Sequence, residues 1–498
     1  MSARMIARLV SGLGFGLAVA IFWGPVVESQ TVAAVPMAAQ AGLHVSGNRL
    51  VDGAGNLVEL HGVDISGTEF ACAQGGTPGS AGWGISGDQP LDTPSTIAAI
   101  KSWHVNAVRV PLNEDCWLGI NGINSKYGGA AYRAAIAKFV RDLNTSGMYV
   151  IVDLHWSAPG TAVARSQQPM ADEDHGPTFW SSVAATFAAD PSVVFDLYNE
   201  PFLYGSYMQN IKQDAWACWL EGCGLNQYLS GGQPYTKKYG WQTAGMQQLI
   251  DVVRASGATN VVIANGLDWA NDDSGWLAHR PHDPAGNLVA GWHEYVGEAC
   301  ASTTCWSKNI APIALSVPVV TGETGDHTGK GCTLLNLPTF LPWADVHGIS
   351  YLAWTFNPWG YTHDVLITDW NGTPSSCEGQ YYSAHLAALA LSPVAIESPP
   401  PAKAAVARPA QTTIAGTGSR GIRIAILVIG MTVFVVGLLL ASGRGRMLPI
   451  GEARGRAPQR MMRLMREQNV TVGLAIALCG AILLLSAALE LRLTFPNS

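Results

Sequence analysis

Residues 43–391 alternate between strand-like and helix-like runs eight times over, a pattern that few folds accept. The strand candidates are residues 58–65, 107–112, 149–156, 193–200, 260–266, 288–295, 318–323 and 350–356, rich in β-branched and aromatic residues. Helical patterns stand between most of them, at 93–103, 132–143, 178–188, 241–255 and 335–346, and a last one follows at 381–391. Those after the fifth and sixth strands are weak. Eight βα units in a row predict an α/β chain closed as a (β/α)8 TIM barrel. A doubly wound open sheet is the alternative, but no G-x-G-x-x-G sits at a strand–helix turn to favour it. Residues 203–238 exceed a plain βα loop and read as an insertion that shapes a binding cleft.

The fourth and seventh candidates end alike. Val193-Val194-Phe195-Asp196-Leu197-Tyr198-Asn199-Glu200-Pro201 is a hydrophobic run, stopped by proline, that delivers an amide and a carboxyl side by side. Val317-Pro318-Val319-Val320-Thr321-Gly322-Glu323-Thr324-Gly325 delivers a second glutamate in the same way. Chemistry in a parallel barrel is done at these C-terminal strand ends. Two carboxyls so placed suit retaining glycoside hydrolysis, one as acid/base and one as nucleophile.

Composition separates this region from the tail. Charged residues make up 13% and apolar ones 48% of the 498 residues, an apolar excess that comes from the termini. Before Pro393 the chain carries 32 acidic residues against 17 basic ones. That balance argues against nucleic acid and anionic surfaces and fits a neutral substrate.

Residues 1–41 pair Arg4 and Arg8 with an apolar run from Leu9 to Trp23 and an Ala39-Gln40-Ala41 exit, the pattern of a signal peptide or an uncleaved signal anchor. Either exports residues 42–392. A Pro/Ala/Ser/Thr-rich linker at 393–421 follows. Residues 422–442 and 470–489 are each long and apolar enough to span a bilayer. The 443–469 loop between them holds seven arginines and two glutamates, which keeps it cytoplasmic and sets the barrel on the extracytoplasmic side of a cell membrane. Arg420 and Arg423 on the outer flank depart mildly from that rule.

Eight of nine cysteines fall into neighbouring pairs: Cys72/Cys116, Cys218/Cys223, Cys300/Cys305 and Cys332/Cys377. An even count in an exported domain favours disulfides, with the connectivity open. None has a CxxC spacing, so a zinc site is not expected. Asp172-Glu173-Asp174-His175 offers metal-binding residue types but reads as a solvated loop before a helix. Cys479, in the second apolar run, reads as a packing residue.

Six strings in order carry a resemblance: Asn106-Ala107-Val108-Arg109-Val110-Pro111, Val152-Asp153-Leu154-His155, Leu197-Tyr198-Asn199-Glu200-Pro201, His293-Glu294-Tyr295, Gly322-Glu323 and Ala353-Trp354. With them residues 43–391 resemble glycoside hydrolase family 5, the cellulase-type family with glutamates on the fourth and seventh barrel strands. The tail lies outside that likeness. The resemblance implies a glycosidase that hydrolyses O-glycosyl bonds of a β-linked polysaccharide or oligosaccharide, β-1,4-glucan first. β-Mannan, β-1,3-glucan and glycolipid glycosides are the variants. It implies Glu200 as acid/base and Glu323 as nucleophile, about 5–5.5 Å apart in the retaining geometry. Asn199 is to bind the sugar 2-hydroxyl, and Arg109 to keep Glu323 ionised or serve as a structural ion pair. His155 and His293 are to bond sugar hydroxyls or the catalytic carboxyls. Tyr295, on the same side of its strand as His293, is to bond the nucleophile. Trp354 is to stack on the sugar. Trp117, Trp156, Trp269 and Trp359 extend the cleft or simply pack. No cofactor or metal is needed. A catalytically silent glycan-binding barrel is the rival reading. An esterase or zincin lacks its signature, since neither Gly-x-Ser-x-Gly nor His-Glu-x-x-His occurs.

Overall fold

The computed structural model describes residues 42–74, 83–84, 89–203, 214–230, 233–326, 333–359 and 365–391, with the backbone alone at 227–230 and 233–239. The leader, the linker, both apolar runs and the arginine-rich loop lie outside the described residues, as does Cys332. Among the described residues no helix is long and apolar enough to cross a membrane.

Eight parallel strands close into a barrel in chain order: β1 His61–Asp64, β2 Ala107–Asn113, β3 Tyr149–Trp156, β4 Val193–Asp196, β5 Val262–Asn265, β6 Leu288–Tyr295, β7 Val319–Gly325 and β8 Ser350–Ala353. β8 pairs with β1 through Tyr351↔His61 and closes the ring. All eight predicted strands are present, and β3 and β6 keep the predicted bounds.

The alternation along each strand sorts side chains into two layers. Ile151, Val194, Ile263, Val289, Val320 and Leu352 point inward near the base and join Leu43, Leu50 and Leu60 in a small closed core. Three short antiparallel strands, His44–Ser46, Arg49–Val51 and Leu57–Val58, supply part of it. Two residues further along, the same inward face carries Asp153, Asp196, Asn265 and Gly291. The intervening residues, such as Val150, Val152, Val193 and Phe195, point outward into the large core. The barrel is therefore apolar at its base and polar at its C-terminal mouth.

The outer helices are Pro94–Ser102, Ala130–Thr145, Gly176–Phe187, Met246–Ala255, Leu337–His347 and Glu378–Leu391. The first begins where Thr93 Oγ1 accepts from the Thr96 amide, with proline at the first position. After β5 comes only Leu267–Ala270, where Asp268, Trp269 and Ala270 all have positive φ. After β6 the chain forms one unbroken helical run, Thr303–Cys305, Trp306–Ile310 and Ala311–Ala314, with a π-helix in its middle, where the sequence pattern is weak.

Two predicted elements change. Residues 241–255 are not one helix: Trp241 and Gln242 end the strand Gln233–Gln242, and the helix starts at Met246. The predicted insertion holds the helix Ala215–Glu221 and an antiparallel hairpin, Gly224–Ser230 with Gln233–Gln242. The fourth strand stops at Asp196 rather than Glu200. The chain beyond stays pinned: the Leu197 amide donates to Ile263 O at 3.0 Å and the Asn199 amide to Leu154 O at 3.1 Å.

Disulfides join Cys72–Cys116, Cys218–Cys223 and Cys300–Cys305. Cys377 is also disulfide-bonded.

Candidate active site

A cavity of about 550 Å³ opens at the mouth, lined by His155, Gln167, Glu200, Trp269, Asn271, His293, Tyr295, Glu298, Glu323 and Trp354. Six of the eight predicted site residues line it; the other two are fully buried, Arg109 against Glu323 and Asn199 against Arg109.

Arg109 stands at the centre of the mouth. Its Nε donates to Asp196 Oδ2 at 3.0 Å and its Nη2 to Asn199 Oδ1 at 2.7 Å. Its Nη1 donates to Glu323 Oε1 at 2.7 Å and to Asp64 Oδ1 at 3.3 Å. Asp153 Oδ2 lies 3.3 Å from Nη2. One cation thus faces four carboxyls, and buried like charges cannot all persist. Burial raises Asp64 well above the carboxylate range and pushes Asp196 up to about 7, against the pull of Arg109. Both shifts favour a proton on Asp64 and Asp196 and so lessen the like-charge crowding around Arg109.

Glu323 reaches the mouth through a break in β7. Pairing runs Trp292↔Thr321 and then His293↔Glu323, so Gly322 is an extra residue in the strand. With Val320 inward, plain alternation would turn Glu323 outward. The bulge returns it to the mouth. A Cβ on Gly322 would stand 3.0 Å from His293 Nε2, so the residue that crosses this gap must be small. Tyr295 Oη donates to Glu323 Oε2 at 2.8 Å.

Glu200 is held from both sides. Gln167 Nε2 donates to Oε2, and His293 Nδ1 lies 2.9 Å from Oε1. Burial raises its pKa, opposed by Gln167, His155 and Arg109. Burial also lowers His293 to about 3, so the ring is neutral and adds no charge between the two glutamates. One carboxylate oxygen from each glutamate falls within a 4.8 Å cluster with His293.

The remaining predicted residues take defined places. His155 Nδ1 bonds Asp153 Oδ2 at 2.8 Å rather than either glutamate, and its ring stacks on Trp354 at 5.9 Å and 8°. Burial works against the charged imidazole, but Asp153, Glu69 and Glu323 outweigh it and push the pKa up to about 9. Asn199 Nδ2 is buried and has no hydrogen-bond partner among the described residues. Trp269 lines the cleft and stacks on Phe202 at 5.0 Å and 16°. Trp359 meets Trp354 edge-on, Trp156 packs on Phe70, and Trp117 is wholly buried.

Several contributors have no motif. Asp64 and Asp196 complete the ring around Arg109. Asn265 Nδ2 donates to Asp196 Oδ1, Tyr198 O and Asn199 O at 2.8–2.9 Å and so fixes the strand end that presents Glu200. A Cβ on Gly291 would stand 1.8 Å from Asn265 Oδ1, so only glycine fits there. Gln167 sits on a loop. The visible hint for the acids was a carboxyl on the inward register of a hydrophobic strand.

The loop expected at 172–175 does precede a helix, with Glu173 and Asp174 exposed and His175 half-buried, but its first residue is not solvated. Asp172 is fully buried, beside Glu114 from the turn after β2.

Residues 63–360 match the family model of cellulase (glycosyl hydrolase family 5). Endoglucanase MaCel5A of Microbulbifer sp. (strain ALW1) is 23% identical over 332 residues, which cover 65% of this chain and 52% of that protein. Endoglucanase gh5-1 of Neurospora crassa is 28% identical over 257 residues, 50% of this chain and 54% of that protein. The chain thus spans about half the length of these curated relatives. The crystal structure of β-glucanase SdGluc5_26A from Saccharophagus degradans shares the fold, with a TM-score of 0.51 and 21% identity over 70% of this chain and 94% of that one. With a barrel whose fourth and seventh strands bring Glu200 and Glu323 to one cleft, and a family match over most of that barrel, the chain belongs to glycosyl hydrolase family 5.

Proposed function

We propose that the barrel is a retaining endo-β-1,4-glucanase, with Glu200 as acid/base and Glu323 as nucleophile. The observation that carries this reading is the placing of one oxygen from each glutamate within 4.8 Å, under opposite influences. Inverting enzymes separate the carboxyls by about 6.5–9.5 Å to admit a water, and retaining ones by about 5–5.5 Å. Burial favours a proton on Glu200. Arg109 and Tyr295 each donate to one oxygen of Glu323 and aim it.

The reaction then takes two steps. Glu323 attacks the anomeric carbon as Glu200 gives its proton to the leaving glycosidic oxygen, which forms a glycosyl-enzyme. Glu200, now ionised, takes a proton from water, and the water oxygen displaces Glu323. Asn199 Nδ2 holds the 2-hydroxyl, and Trp354 and Trp269 offer faces to the sugar rings. The names of the endoglucanase relatives and the cellotetraose complex of the Saccharophagus degradans β-glucanase support a β-glucan substrate.

The same reading sets the enzyme on the outer face of a cell membrane, held by residues 422–442 and 470–489. Three described disulfides support an oxidising compartment. Activity that stays with washed membranes, and is freed by protease on intact cells, would support the anchor; activity free in the medium would count against it.

The test is reducing-sugar release by the detergent-purified chain on β-glucan, carboxymethylcellulose, mannan and laminarin, beside Glu323→Gln. Release from a β-1,4-glucan that vanishes in the variant supports the assignment. Release from mannan or laminarin alone replaces the substrate, and binding without release from any makes the barrel a glycan binder.

A further inference from the structure

A second group of chemical side chains lies outside the cleft. Glu114 opens the short turn Glu114–Leu118 after β2, and Asp172 and His175 lead into the helix Gly176–Phe187 after β3. His175 Nδ1 lies 3.1 Å from Asp172 Oδ1 and 3.6 Å from Glu114 Oε1. One donor atom from each residue falls within 4.8 Å of the others.

Glu114 and Asp172 are fully buried. Glu114 Oε1 accepts from the Ala158 amide and Asp172 Oδ1 from the His175 amide. Glu114 Oε2 and Asp172 Oδ2 are buried with no hydrogen-bond partner among the described residues. Two buried carboxyls, each with one oxygen unpartnered and only one imidazole nitrogen between them, are costly unless something positive binds them.

From this we propose that Glu114, Asp172 and His175 form a structural site for a divalent transition ion of the Zn²⁺ or Mn²⁺ type. Two donors each about 2.1 Å from one ion stand about 3.4 Å apart at a tetrahedral angle and about 3.0 Å apart at a right angle. The 3.1 and 3.6 Å separations lie close to those spans. One imidazole with two carboxylates suits Zn²⁺ or Mn²⁺ better than an all-oxygen cation. His175, whose side chain keeps 18% of its surface exposed, offers the way in and a place for water to complete the shell. The ion would tie the turn after β2 to the loop after β3, and that loop carries Gln167 to Glu200.

The test uses the detergent-purified full-length chain, stripped with chelator, dialysed, and incubated separately with ZnCl2 and MnCl2. Retained metal is read by mass spectrometry after desalting, and Tm is read beside it. The proposal predicts about one ion per chain and a Tm rise of about 4 °C or more at saturation. Asp172→Asn and Glu114→Gln lose the ion, as does the milder, partly exposed His175→Gln, while Glu200→Gln keeps it. If His175 is instead a protonated bridge between two carboxylates, neither salt is retained nor raises Tm, and the proposal fails. It fails equally if His175→Gln retains the ion, or if Glu200→Gln abolishes binding and so places the ion in the cleft.

Discussion

Arg109 Nη1 donates to Glu323 Oε1 at 2.7 Å from a guanidinium that also touches Asp64, Asp153 and Asp196. The aim of Glu323 is therefore tied, through one buried guanidinium, to three aspartates of the barrel mouth. Arg109→Met leaves buried carboxyls without a partner and is expected to cost about 3–5 kcal/mol in urea unfolding. Arg109→Lys keeps the charge but not the fork, and should recover stability better than kcat. A methionine variant as stable as the parent would remove Arg109 from this role.

Tyr295 tests the other oxygen of Glu323. Its hydroxyl donates to Oε2 at 2.8 Å. A hydrogen bond to a charged group is worth about 1.5–3 kcal/mol, or about 10- to 150-fold in rate if it is realised in the transition state. Tyr295→Phe should lower kcat by that order with Tm nearly unchanged. An unchanged kcat would mean that Arg109 alone aims the nucleophile.

His155 predicts a pH effect. Its folded pKa is pushed up to about 9 from an ordinary 6.5. A raised folded pKa adds stability that is fully present below about 6.5 and is lost as pH climbs through about 9. The full amount is about 3 kcal/mol. Urea midpoints of the parent should therefore fall between pH 7 and 10 more steeply than those of His155→Gln. The His155 cation also lowers the pKa of Glu200. Glu200 must be protonated to act as the acid, so removing the cation should move the alkaline limb of kcat/KM to higher pH. A limb that stays put or moves down would break the link between the two residues.

Asn199 predicts a substrate-dependent loss. Its Nδ2 is a buried donor with no partner among the described residues. Asn199→Ala should cut kcat/KM about 10- to 100-fold on an aryl cellobioside. On the 2-deoxy analogue the same variant should lose little, because the partner group is already gone. Equal losses on both substrates would place Asn199 in holding Arg109 rather than the sugar.

The sequence carried most of this site because its chemistry sits at strand ends, and strands announce themselves by period and residue type. Glu200, Glu323, His293 and Tyr295 follow hydrophobic runs whose positions were plain. Bounds were less plain where one apolar pattern serves two structures. Trp241 could open a helix or end a strand, and pairing across the hairpin decided it. The inward aim of Glu323 was hidden, since it depends on the extra residue at Gly322, which pairing with β6 defines. Asp64 and Asp196 joined Arg109 through closure of the barrel, and Glu114 met Asp172 through the packing of two loops. Such contacts cross dozens of residues and leave no local pattern.

The central claim is that Glu323 is a nucleophile and Glu200 its acid/base partner. The most direct measurement is proton NMR of the first sugar released from cellotetraose, recorded before the product mutarotates. The account predicts the β-anomer first, with the α-anomer growing in later. The α-anomer first would mean a single displacement by water, and would contradict the double displacement assigned to this pair.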